Sequence, residues 1–280
     1  MEDISSGTAV DTEASGVISL NGIDCNTVYS RVVTLLSFAG PNFTGQIERK
    51  DIFTEILKAN QECKMPLDEG DIARPRARNA IICTGNSCLW SKSSDEHVNI
   101  PYVISTNYTE DQKNILMNAM QDVNTRTCVR FVERSSEMDY VDIKPETGCW
   151  SYIGKIGGPQ SVVLSANCMT KRIIQHELNH AMGMLHEHNR SDRDKHVKVM
   201  WQYINPGDRG SFNLENANTL DLPYDYSSVM HYGRFDYTNS PGKATLVPIP
   251  DASVPIGESN QLSNLDIAKI NKLYDCKSTS

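Results

Sequence analysis

The stretch His176-Glu177-Leu178-Asn179-His180-Ala181-Met182-Gly183-Met184-Leu185-His186-Glu187 decides how the rest of the chain is read. On a helix, residues four apart share a face, so His176 and His180 can aim two imidazole nitrogens at one metal ion. Glu177 lies about 100° round the helix from His176, beside such an ion, where a base for a metal-activated water belongs. A third ligand on the same straight helix would face away. Gly183 removes that difficulty, because glycine adopts the left-handed conformation that ends a helix and turns the chain back, bringing His186 to the same point. Three neutral nitrogen ligands with an open position describe a catalytic zinc site, whereas a structural site is closed by four protein ligands. The rival reading, three ordinary histidines near a helix end, leaves the convergent spacing unexplained. His188 is expected at the surface and is not counted as a ligand.

Around this segment the pattern predicts an α+β fold. The helix carrying the motif spans about Lys171 to Met182. Before it come strand-like runs at Val98–Ile104, Val129–Val132, Tyr140–Ile143 and Ser161–Leu164, and a helix with Ile115, Leu116, Ala119, Met120 and Val123 on one face. After it, Ser191 to about Gly257 is long and turn-rich, which suits a functional or pinned segment. A final helix, Asn264–Leu273, ends just before Cys276.

At 280 residues with 39% hydrophobic content, the chain can bury an ordinary globular core. A net charge of -8 and pI near 5.4 exclude a non-specific nucleic-acid binder, which needs a basic face. No apolar run approaches the roughly 20 residues that span a bilayer. Eight cysteines without C-x2-C pairs fit disulfides in an oxidising compartment, so export or storage in a secretory granule is expected. Met1-Glu2-Asp3 is acidic where an export signal is basic and then apolar. The expectation is a missing first segment; a cytosolic protein is the alternative.

Three regions are predicted. Residues 1–50, rich in Ser, Thr, Gly and Asp, are expected to be poorly ordered. Residues 51–78 begin with a short amphipathic helix (Ile52, Phe53, Ile56, Leu57, Ala59) and end in Arg74-Pro75-Arg76-Ala77-Arg78. That basic, proline-containing stretch suits either an exposed processing site or a solvated linker. Cleavage after Arg78 by a trypsin-like protease would leave residues 79–280 with a new amino terminus at Asn79.

The extended motif followed by Glu187, together with Ser228-Val229-Met230-His231-Tyr232, resembles the astacin family of metzincin proteases. The resemblance covers nearly all of Asn79 to Cys276. Within the family it extends to the fish hatching enzymes through Cys83-Thr84-Gly85-Asn86-Ser87-Cys88-Leu89-Trp90 and Pro223-Tyr224-Asp225-Tyr226-Ser227-Ser228. It implies a cleft between a sheet-and-helix subdomain and an irregular C-terminal one, with one zinc per catalytic domain. Met230 would form the turn beneath the zinc, and Tyr232 would be an extra, swinging ligand that can leave the metal and stabilise the oxyanion. Leu67-Asp68-Glu69-Gly70-Asp71-Ile72 resembles the family's pro-segment, with Asp71 as the latch on the metal; a plain Gly-Asp turn is the alternative. The new terminus at Asn79 would meet Glu187 inside the mature fold. By the same resemblance Cys128 pairs with Cys276, Cys149 with Cys168 and Cys83 with Cys88, a connectivity that sequence cannot select, while Cys25 and Cys63 stay unassigned. A substrate peptide would add as a strand beside Cys149–Ile153.

The implied activity is endopeptidase cleavage of protein substrates, egg-envelope glycoproteins among them. A catalytically silent binding protein would have lost Glu177 or a histidine. A small-molecule hydrolase would not explain the latch and processing site. Asn42 and Asn107 head glycosylation sequences; Asn189 does too, but beside the third histidine.

Overall fold

A computed structural model describes residues 51–74 and 87–277. The expectations for residues 1–50, the cut between Arg78 and Asn79, Cys25, Cys83 and Asn42 lie outside the described residues.

Among the described residues a seven-stranded mixed sheet forms one wall of the fold. In chain order its strands are β1 (Leu67–Asp68), β2 (Ile72–Ala73), β3 (Val98–Ile104), β4 (Val129–Glu133), β5 (Tyr140–Lys144), β6 (Cys149–Ser151) and β7 (Pro159–Leu164), arranged β1-β2-β6-β7-β5-β3-β4. The β4-β3-β5-β7 core is parallel. β6 turns antiparallel onto β7, β2 runs parallel to β6 through the Ile72–Ser151 pair, and β1 folds back on β2.

The predicted helices form where the periodicity places them. α1 is Ile52–Asn60, capped by Asp51. α2 (Glu110–Arg126) starts at a Thr109/Gln112 capping box, which satisfies two orphan N–H groups reciprocally, and buries Leu116, Ala119, Met120 and Val123. It supplies the crossover between parallel β3 and β4. α3 (Lys171–Ala181) packs against α2 and buries Ile173, Ile174 and Leu178 with the sheet's Val162 and Leu164 in one core. Trp90 Nε1–H donates to the Ala181 carbonyl and the Tyr274 hydroxyl to that of Met182, both at 2.9 Å, so two aromatic anchors satisfy the carbonyls at the end of α3.

The turn-rich stretch contains short 3-10 turns and a two-stranded ribbon of β8 (Val197–Val199) and β9 (Leu246–Pro248). α4 (Asn264–Leu273) opens with a Ser263/Asp266 capping box. The Asp266 carboxylate also accepts the Ser228 hydroxyl and the Val229 N–H, tying the helix start to the Ser228–Tyr232 segment. Cys128 is joined to Cys276 and Cys149 to Cys168. Cys88 is also disulfide-bonded. No described helix is long and apolar enough to cross a membrane.

Candidate active site

α3 delivers His176, Glu177 and His180 from one buried face. Gly183 ends it with φ +100°, its N–H on the His180 carbonyl at 2.8 Å, while the Met184 N–H reaches back to Asn179 at 2.9 Å. That left-handed turn returns the chain so that His186 faces the other two rings. Ligand atoms of His176, His180, His186 and Asp71 all lie within 4.8 Å of one another, and all four residues are buried.

The outer nitrogens fix the imidazole tautomers. His176 Nδ1 faces the Val229 carbonyl at 2.7 Å, His180 Nδ1 the Met184 carbonyl at 2.8 Å and His186 Nδ1 the Glu69 carboxylate at 2.6 Å. Each acceptor demands a proton on Nδ1, leaving a lone pair on each Nε2. Three inward lone pairs and the Asp71 carboxylate meet where His176 Nε2 is 2.8 Å and His186 Nε2 3.2 Å from Asp71 Oδ2. His180 Nε2, 3.5 Å from Asp71 Oδ2, and Asp71 Oδ1 have no hydrogen-bond partner among the described residues. Buried lone pairs facing one another are satisfied by a cation, so the residues fit a zinc ion.

Burial tends to raise the Asp71 carboxyl, but protonated His186 and His180 and a hydrogen bond from His176 would outweigh it and hold it well below the usual range; with the rings neutral, a cation among them acts in the same direction. Glu177 is the opposite case: burial first, then the Asp71 charge, push it well above the carboxylate range. Neither Glu177 oxygen has a partner among the described residues. This carboxyl can exchange a proton with a reacting group because nothing else holds it.

Met230 is buried, and its carbonyl accepts the Glu187 N–H at 2.9 Å, so the Ser228–Tyr232 turn is bonded to the residue that follows the third histidine. The Tyr232 ring is 4.8 Å from that of His186, and its hydroxyl donates to the Glu69 carbonyl. Burial, then Tyr237 and Glu69, push the phenol well above its ordinary value, so it stays a donor.

The 67–73 segment lies across the cleft. Asp71 O accepts the Ser151 N–H at 3.0 Å, and the Asn60 side chain takes the Cys149 N–H at 2.7 Å while donating to the Cys149 and Gly70 carbonyls at 2.8 Å. Gly70 has φ +95°, and a Cβ there would stand 2.5 Å from the Tyr237 hydroxyl and 2.8 Å from Leu57. Only glycine fits.

Glu187 is nearly closed off from solvent, and its carboxylate binds Lys269 Nζ on α4, Arg190 Nη1 at 3.3 Å and the Asp225 N–H at 2.8 Å. Burial raises it, the two cations opposing. Asn79, its expected partner, lies outside the described residues. A pocket of about 220 Å³ opens beside Glu187 and Lys269.

The surface expectation for His188 is wrong: it is 0% exposed. Its Nε2–H donates to the Ser211 carbonyl at 2.9 Å and its ring lies 3.6 Å from that of Tyr232, so aromatic packing draws it inward. Burial pushes it well below the usual histidine value, leaving it neutral. Sequence reasoning also missed Lys269, whose signal was a lysine one position from Ile270 on the buried face of a short helix, and Phe53 as a cleft residue. Asn107 is exposed and Asn189 buried.

Residues 87–275 match the family model for astacin, a peptidase family. The chain is 53% identical over 231 residues to the astacin-like metalloendopeptidase of Gallus gallus, covering 82% of this chain and 56% of that protein. It is 45% identical over 228 residues to high choriolytic enzyme 1 of Oryzias latipes, covering 81% of this chain and 84% of that one. The solved structure of that hatching enzyme zinc-protease superposes with a TM-score of 0.68 over 71% of this chain and 100% of the other. The chain therefore belongs to the astacin family of zinc metalloendopeptidases, with the α+β fold that its motif predicts. It spans 56% of the length of its avian relatives.

Proposed function

We propose that residues 79–280 are a secreted zinc endopeptidase kept silent in a precursor by residues 51–78. The convergence of three histidines on the Asp71 carboxylate carries this reading, because it puts a pro-segment oxygen at the point where a reacting water would otherwise be held.

His176, His180 and His186 hold the zinc, which when bound supplies Lewis acidity and an activated water. Glu177, buried beside the histidines with neither oxygen hydrogen-bonded among the described residues, takes the proton of the attacking water and hands it to the leaving amine. A substrate peptide hydrogen-bonds along β6, replacing Asp71 O on the Ser151 N–H and Asn60 on Cys149. Tyr232 donates its hydroxyl to the developing oxyanion, as it donates to the Glu69 carbonyl in the precursor. Met230 supports the site from its turn. Cleavage after Arg78 by a trypsin-like protease frees Asp71 and gives Asn79 an ammonium that competes with Lys269 for Glu187.

Egg-envelope glycoproteins are the proposed substrates, because similar proteins of Oryzias latipes are named choriolytic enzymes. Activity on a denatured protein that appears only on limited trypsin treatment, and vanishes with a chelator or Glu177→Gln, is the expected result. A trypsin-treated, zinc-loaded protein with an Asn79 terminus and no activity would overturn the reading.

A further inference from the structure

Tyr232 has two flat neighbours. On one face lies Phe53, with ring centroids 3.9 Å apart and planes at 25°. The other close ring is His188, 3.6 Å away at 31°. Phe53 belongs to α1, upstream of the Arg78 cut, so activation removes it. His188 belongs to the catalytic domain and stays.

His188 is itself firmly held. Its ring is anchored by the Ser211 carbonyl and by Phe212 at 5.5 Å, and its own carbonyl accepts Arg193 Nη1–H at 2.9 Å. It also follows His186 by two residues, so its ring position is tied to that of the third metal ligand. While the phenol lies on this imidazole, its hydroxyl is already donating to a main-chain carbonyl oxygen in the cleft, that of Glu69. A substrate carbonyl presents the same chemical group in the same cleft.

We propose that His188 is a positioning residue for Tyr232, its imidazole face holding the phenol ring in the posture that donates to a peptide carbonyl. The proposal rests on the reading of Tyr232 as the oxyanion donor. It requires the flat ring of His188, not its charge, since the two rings meet with centroids 3.6 Å apart and planes tilted by only 31°. Without that support the phenol samples postures in which the hydroxyl misses the carbonyl, and the lost time shows in kcat rather than KM.

The test uses the mature, zinc-loaded enzyme with four variants: His188→Gln, which can keep a hydrogen bond to Ser211 but has no ring; His188→Phe, which keeps a ring but no hydrogen bond; Tyr232→Phe; and Tyr232→Phe combined with His188→Gln. Metal content, kcat, KM and affinity for a phosphinic peptide, a tetrahedral mimic, are measured for each. His188→Gln is expected to lower kcat and phosphinic affinity together by about 3- to 10-fold, with KM and zinc unchanged. His188→Phe recovers most of that loss. In the Tyr232→Phe background His188→Gln has no further effect.

A loss that persists undiminished in that background, or one that follows zinc content or appears in His188→Phe but not in His188→Gln, overturns the proposal in favour of a structural role. Full kcat in Tyr232→Phe overturns the tyrosine reading itself, a failure distinct from additive effects on an intact tyrosine role. Should His188→Gln not fold, His188→Phe and Tyr232→Phe alone still decide: a His188→Phe enzyme as slow as Tyr232→Phe refutes the ring requirement.

Discussion

Replacing Phe53 by alanine in a precursor whose Arg76 and Arg78 are changed to glutamine tests whether α1 helps to keep the cleft shut. Phe53 is 1% exposed, stacks on Tyr232 at 3.9 Å and meets the His186 ring edge-on at 5.3 Å. Truncating a buried Phe costs about 3–5 kcal/mol, and Leu57 and Tyr237, which border the same space, can lean into it and favour the lower end. A loosening of about 3 kcal/mol raises the undocked fraction roughly 150-fold, since each 1.4 kcal/mol is tenfold. Undocking of α1 reaches the metal site because Asn60, its last residue, donates to the Gly70 carbonyl beside Asp71. The assay is the initial rate on an internally quenched peptide per mole of intact precursor, with the unfolding midpoint followed in parallel. The variant should leak activity about two orders of magnitude above its parent, on the same docking loss. A rise below about threefold with the precursor still folded would show that Asp71 alone keeps the cleft shut.

Glu177→Gln should lower kcat by about 10²- to 10⁴-fold while zinc stoichiometry stays constant, because general-base catalysis is lost and no ligand is; metal analysis beside kinetics checks both halves. In the uncleaved chain Lys269→Met leaves the buried Glu187 with Arg190 as its one cation among the described residues and should lower the unfolding free energy by about 2–4 kcal/mol, read from denaturant midpoints. Docking of α1 should weaken as pH rises. The Asp51 carboxyl beside Gly233 is raised well above its ordinary value by burial, then Asp236 and Glu258, against the Thr54 and Phe53 N–H bonds; Asp236 is raised to about 6 by burial, with Gly233, Thr54, His186 and Asp51 opposing. A raised folded pKa means the docked form binds the proton more tightly, so its contribution is complete below about pH 4 and lost as pH climbs through about 6. The uncleavable precursor should therefore leak more activity at pH 7.5 than its zinc occupancy predicts from pH 5, and Asp236→Asn should flatten that profile.

The histidine cluster was legible because helical period and one left-handed glycine fix where His176, His180 and His186 go, with Glu177 beside them. The long helices and β3 were legible for the same reason, since a long periodic run outweighs local accidents. The strands of two or three residues, β1, β2, β6, β8 and β9, carry too few residues for a period and exist only through their pairing partners. The acceptors that set the histidine tautomers are largely main-chain carbonyls, which leave no mark on the sequence. His188 was misread because a polar residue beside a turn looks exposed; its burial comes from Ser211, Phe212 and Tyr232, all more than twenty residues away. Asp51 and Asp236 meet across 185 positions, beyond any local pattern.

The Asn60 amide and the Asp71 carbonyl have a consequence for how the protein can be stored. Together they occupy the N–H groups of Cys149 and Ser151 and the Cys149 carbonyl along the outer side of β6. Once the segment leaves, that margin becomes a bare strand edge, the surface on which foreign chains stack into aggregates. On the proposed activation, the precursor would be the form that can be concentrated without clumping, and the freed enzyme would keep best when dilute or saturated with peptide.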